Sequence, residues 1–237
     1  MKRVQLGGLD VVLAGGTDKQ GGGTGPLVVL LHGFGAPGDD LVSLHRVLEV
    51  PPGTRFAFPA APVELGAFGY GDARAWWMID MAKLQSAMAR GDVRDLTKDV
   101  PEGLFSARLL VNAMLDELTE LLAPSHLVLG GFSQGAMLSA DVTLRSARSF
   151  AGLVLLSGTM IAEGEWKPLL PKRAGLPVFQ SHGQSDAMLP FSIAERLSTE
   201  LAAAGLKTRF VPFRGGHEIP PPVIDGLNAF LGDVLRA

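Results

Sequence analysis

The sequence predicts an α/β domain: a mostly parallel central sheet, opened by an N-terminal β-hairpin and covered by helices on both faces. Three observations carry this. Apolar runs of strand length, such as Leu27–Leu31 and Leu153–Leu156, have the pattern of strands buried on both faces. Segments with helical spacing alternate with such runs along the chain, as crossover connections require. At 237 residues and 47% hydrophobic content the chain can bury a large core in one domain, and no internal repeat or linker divides it.

The elements follow in order. Residues 2–6 and 9–13 are β-prone runs joined by Gly7-Gly8, a two-residue hairpin signal. Residues 15–25 are glycine-rich but lack the Gly-Lys-Ser/Thr of a phosphate loop, so they read as a connection. The strand Leu27–Leu31 leads into His32-Gly33-Phe34-Gly35-Ala36-Pro37-Gly38, and a helical pattern covers 41–48. Residues 55–58 form a strand ending at Pro59-Ala60-Ala61-Pro62. The segment 63–103 begins apolar and aromatic, then turns charged, and is the least legible. From Phe105 to Leu122 the apolar positions Leu109, Leu110, Met114, Leu118 and Leu121 repeat at helical spacing. Strands follow at 127–129, 153–156, 178–180 and 208–212. Helices are expected at 134–144, at 191–204 closed by Gly205, and at 220–235 entered through prolines.

Composition excludes several functions. A net charge of −3 gives no electrostatic case for nucleic acid. With no cysteine, disulfides and thiolate chemistry are excluded. No apolar run approaches the ~18 residues that span a bilayer, and Gly7-Gly8 interrupts the N-terminus before any signal core develops. A soluble cytoplasmic protein is the default expectation.

The chemistry centres on Gly131-Phe132-Ser133-Gln134-Gly135, a G-x-S-x-G pattern between a strand and a helix. Such a turn strains its central residue, and a side chain on either flanking position would clash. The bland alternative is a glycine-rich turn that happens to hold a serine. A rival motif is Gly33-Phe34-Gly35-Ala36-Pro37-Gly38, which formally satisfies the dinucleotide fingerprint. That mechanism needs an acidic residue at the end of the next strand to hold a ribose, and the chain has Phe58-Pro59-Ala60 there. Acyl transfer makes better use of the loop. It needs two backbone N–H donors aimed at an oxyanion, one following the nucleophile and one from a loop after an early strand. Gln134 and Phe34 occupy those positions.

A serine hydroxyl needs a base, and the chain has five histidines. His32 belongs to the first loop, His45 to a helical pattern, and His126 to the wrong end of the Ser133 strand. His182 precedes the candidate acid too closely for the usual order. His217 lies in a loop after the last strand, where an open α/β sheet assembles its site. His217-Glu218 begins the zinc pattern H-E-x-x-H, but Pro221 occupies the second histidine position. Asp186, after the 178–180 strand, can orient the imidazole; it could instead cap the helix that begins near Pro190. Ser133, Asp186 and His217 then fall in the chain order Ser…Asp…His.

Leu31-His32-Gly33-Phe34-Gly35, Phe58-Pro59-Ala60-Ala61-Pro62, Ala75-Trp76-Trp77, the Ser133 turn, His182-Gly183-Gln184-Ser185-Asp186 and Gly216-His217-Glu218 together resemble the carboxylesterase, lysophospholipase and acyl-protein thioesterase family of α/β hydrolases. The resemblance covers nearly the whole chain from residue 27. It implies the single-domain α/β hydrolase fold, with Ser133 as nucleophile, Asp186 and His217 as its partners, and Phe34 and Gln134 as oxyanion donors. The expected activity is carboxylic ester hydrolysis, with acyl-thioesters or lysophospholipids as alternative substrates. A non-catalytic binding protein on the same fold is the alternative of a different class.

No cofactor or metal is expected. The expected partner is a small-molecule ester or thioester, with no nucleic acid and no integral membrane segment, and a homodimer is left open. Residues 63–103 are expected to wall the substrate cleft, with Trp76, Trp77, Met78 and Met81 as candidate lining or as ordinary core. Arg74, Arg90 and Arg94 either meet an anionic head group or lie on solvated surface.

Overall fold

The computed structural model describes residues 1–80, 86, 90 and 95–236. Eleven strands are present among them: β1 (Lys2–Leu6), β2 (Leu9–Gly15), β3 (Leu27–Leu31), β4 (Ala36–Pro37), β5 (Arg55–Pro59), β6 (Val63–Glu64), β7 (Ala73–Ala75), β8 (Leu127–Phe132), β9 (Gly152–Leu156), β10 (Pro177–Gly183) and β11 (Lys207–Phe213). The helices are α1 (Leu44–Val47), α2 (Leu104–Leu122), α3 (Gln134–Arg145), α4 (Glu163–Trp166), α5 (Phe191–Ala203) and α6 (Pro221–Val234).

Eight strands form one sheet in the order β1-β2-β5-β3-β8-β9-β10-β11. The β1–β2 hairpin and the β2–β5 pair are antiparallel, and every other neighbour pair is parallel. The central strands are apolar throughout because both faces are covered. Leu27, Val29 and Leu31 of β3 enter the core beneath α2, α3 and α5, whereas Val28 and Leu30 enter the one beneath α1 and α6. A second, three-stranded sheet, β4-β7-β6, stands beside the loop after β3. The sequence reading did not anticipate it, because strands of two or three residues carry no periodicity.

Two expected elements are corrected. Residues 41–48 form a 3₁₀ turn (Asp40–Ser43) followed by the single α-turn of α1, although Leu41, Leu44 and Leu48 are buried as the spacing requires. In α2 the buried face is Leu104, Ala107, Val111, Met114, Leu115 and Leu118. Leu109 and Leu121 are 52% and 58% exposed, and Leu110 is only partly buried. Leu109 stands about 200° around the helix from Ala107, so an apolar residue there faces out.

Candidate active site

The site is assembled where the parallel strands end. β8 runs directly into α3, and Ser133 at the junction has φ 53° and ψ −116°, a strained conformation for a residue with a side chain. Glycine is obligatory on both sides. A Cβ on Gly131 would lie 2.5 Å from the Leu31 carbonyl oxygen, and one on Gly135 would lie 2.1 Å from the same atom. The bend is therefore pressed against the end of β3, which brings the following loop beside it. A Cβ on Gly33 would stand only 3.3 Å from Ser133 Cβ.

Side chains lock this loop. His32 is buried; its Nδ1–H donates to the Gly33 carbonyl (2.8 Å) and Nε2 accepts from the Ala61 amide (3.0 Å). The Trp76 indole N–H donates to the His32 carbonyl at 2.9 Å. Gln134 clamps the same segment: Oε1 accepts from the Trp76 amide at 2.8 Å, and Nε2 donates to the Trp77 carbonyl at 2.9 Å. Its backbone N–H stands at the first turn of α3, where helix geometry leaves it free. Among the described residues neither this amide nor that of Phe34 has a hydrogen-bond partner.

Asp186 and His217 arrive on neighbouring loops tied by main-chain hydrogen bonds. The Gln184 amide donates to the Phe213 carbonyl and the Ser185 amide to the Gly215 carbonyl, each at 2.9 Å. His217 Nδ1 then meets Asp186 Oδ2 at 2.7 Å. The other carboxylate oxygen accepts the Met188 and Leu189 amides, both at 2.9 Å. Burial pushes the Asp186 carboxyl up, but the His217 contact and those amides outweigh it and hold the group below its ordinary value. The Phe132 ring packs against the imidazole, centroids 4.8 Å apart.

Ser133, His217, Phe34 and Gln134 all face one cavity of about 150 Å³. Its remaining wall is chiefly apolar: Ile79, Leu96, Met137, Met188 and Leu189. Trp76 and Trp77 do not line it; they are buried in the core beneath, and Met78 is 49% exposed to solvent. Aromatic content alone could not separate lining from support, because the deciding contacts run from the Gln134 side chain to the Trp76 and Trp77 main chain. Met137 was findable, since position i+4 from Ser133 lies above it on the same helix face. Ile79 and Leu96 carried no local signal. Arg74 bridges the Ala61 carbonyl and Glu64, both at 3.0 Å. Arg90 donates to Ser86 at 2.6 Å. Met81 and Arg94 lie outside the described residues.

Two buried histidines make the stability pH-dependent. His32 and His182 are 1% and 0% exposed, and burial is the largest effect on each, lowering its pKa from the ordinary 6.5. The unfolded chain therefore takes up protons that the folded one refuses. Stability from this source is complete above about pH 6.5 and falls as pH drops below it, by up to ~1.4 kcal/mol per pH unit for each histidine. Urea unfolding is expected to show lower stability at pH 5.5 than at pH 7.5; equal stabilities would contradict buried neutral imidazoles.

A doubly covered parallel sheet with a strained serine at a strand–helix junction and an Asp–His pair on adjoining strand ends defines the α/β-hydrolase class of serine hydrolases. Residues 19–235 match the family model described as Phospholipase/Carboxylesterase. The chain belongs to that family, and it is an enzyme of the serine carboxylic ester hydrolase type. It is 32% identical over 172 residues to acyl-protein thioesterase 1 of Kluyveromyces lactis, covering 69% of this chain and 71% of the relative. A probable carboxylesterase of Oryza sativa subsp. japonica is 26% identical over 215 residues, or 89% of this chain and 78% of that protein. The crystal structure of esterase PE8 superposes with a TM-score of 0.79 at 27% identity, covering 96% of this chain and 99% of its own. No helix among the described residues is long and apolar enough to cross a membrane.

Proposed function

We propose that Ser133, His217 and Asp186 form the catalytic triad, with the Phe34 and Gln134 amides as the oxyanion hole. The observation that carries the reading is the 2.7 Å contact from His217 Nδ1 to Asp186 beside a strained serine facing the same cavity. Asp186 keeps the Nδ1–H tautomer, so Nε2 is the basic nitrogen offered to the serine. Ser133 Oγ attacks the carbonyl carbon as His217 takes its proton, and the two free amides receive the developing negative charge. His217 returns the proton to the leaving oxygen or sulfur. Water, activated by the same imidazole, then attacks the acyl-enzyme and releases the acid.

The acyl group occupies the apolar wall in this reading, with Ile79 and Leu96 as the contribution of the 63–103 segment to the cleft. An apolar cavity of about 150 Å³ holds a group of roughly benzene size. Carboxylesterase action on short acyl chains is thus the preferred activity, and thioesters share the mechanism because the leaving atom lies outside the oxyanion hole. A cytoplasmic setting fits the cysteine-free composition.

Hydrolysis of p-nitrophenyl esters of two to sixteen carbons, with matched acyl-thioesters, tests this. kcat/KM is expected to peak at about four to six carbons. Highest activity on the longest chains would overturn the acyl assignment, and no turnover of any ester would overturn the enzyme itself.

A further inference from the structure

His182 takes no part in the mechanism above, yet it touches the acid. Its side chain is wholly buried at the end of β10, with the Phe191 ring of α5 6.3 Å away between centroids. Nε2 lies 2.9 Å from the Leu189 carbonyl oxygen and 3.3 Å from Asp186 Oδ2. A carbonyl can only accept, so Nε2 carries the hydrogen. That one N–H donates to the Leu189 carbonyl, with Asp186 Oδ2 close by but not hydrogen-bonded to it. Asp186 Oδ2 is consequently approached by two imidazoles, His217 at 2.7 Å and His182 at 3.3 Å, while Oδ1 is held by the Met188 and Leu189 amides. The Leu189 contact also closes the turn that supplies those two amides.

We propose that His182 is a positioning residue for the reaction: by donating to the Leu189 carbonyl, its Nε2–H closes the 186–189 turn whose amides hold the Asp186 carboxylate in the plane that meets His217. This rests on the triad assigned above. Burial suits the role, because a neutral imidazole donates one hydrogen without placing a second positive charge beside His217. The titratable groups facing it are Asp186 on its own loop and His217 from the loop after β11, while α5 presents the Phe191 ring.

The test compares His182→Leu, His182→Gln and His182→Asn with the full-length wild type, reading kcat and KM separately on p-nitrophenyl butyrate. Without the donor the carboxylate can rotate, and kcat is expected to fall roughly tenfold to a hundredfold with KM nearly unchanged. Gln places an N–H near the Nε2 position and should restore kcat to within about fivefold, whereas Asn, one bond shorter, should not. If the Leu variant fails to fold, the Gln-to-Asn ratio still decides. Equal kcat for Gln and Asn, or wild-type kcat in a folded Leu variant, would overturn the proposal. Fluorophosphonate labelling of wild-type Ser133 separates this failure from failure of the triad, because that labelling does not depend on what His182 does.

Discussion

Ser133→Ala is expected to abolish labelling by a fluorophosphonate probe and to lower kcat by roughly 10⁵- to 10⁶-fold. The size of the effect follows from the serine's role, since without Oγ no acyl-enzyme forms and only the oxyanion hole and binding remain. Stability should change little. Alanine meets the same strained φ of 53° that serine already accepts, and the removed hydroxyl carries no hydrogen bond among the described residues. Urea unfolding of the variant would confirm that the fold is intact. Retained labelling at the wild-type rate would sink the nucleophile assignment and point to another nucleophile.

Asp186→Asn is expected to reduce turnover by about 10⁴-fold while leaving substrate binding near normal. The asparagine oxygen can keep the Met188 and Leu189 amides, so the turn survives. Its amide group then faces His217 Nδ1, and a donor there drives the ring hydrogen onto Nε2. The imidazole would then present a hydrogen where Ser133 needs an acceptor. The charge that steadies the imidazolium during attack is lost as well. Steady-state kinetics measure the drop directly. A variant with most of its activity left would mean that another group orients His217, and the 2.7 Å contact would be structural only.

Much of the site was legible because its requirements are local. A strand-to-helix turn with a strained centre needs glycine at 131 and 135, and the closeness of both positions to Leu31 shows why no other residue fits. Asp186 and His217 could be placed at strand ends because short strand-like runs marked β10 and β11. The cleft wall was not legible. Trp76 and Trp77 have the composition of a pocket but lie beneath it, whereas Ile79 and Leu96 line it from positions no pattern singles out. His182 was set aside as a base on chain order. Its contact with Asp186 depends on how the 186–189 turn folds back over β10.

By itself the sequence determined the sheet, its helices, the strained serine turn and the order of the candidate triad. All of these follow from periodicity, glycine chemistry and position along the chain. Only the tertiary structure decided which face of α2 is buried, which side chains wall the cavity, and how Gln134 and His182 hold the loops around it. The reason is physical: a local conformation depends on neighbours a few residues away, but a pocket depends on contacts between segments such as 76–79, 96, 134–137 and 186–189. Their separation along the chain leaves no mark in local spacing.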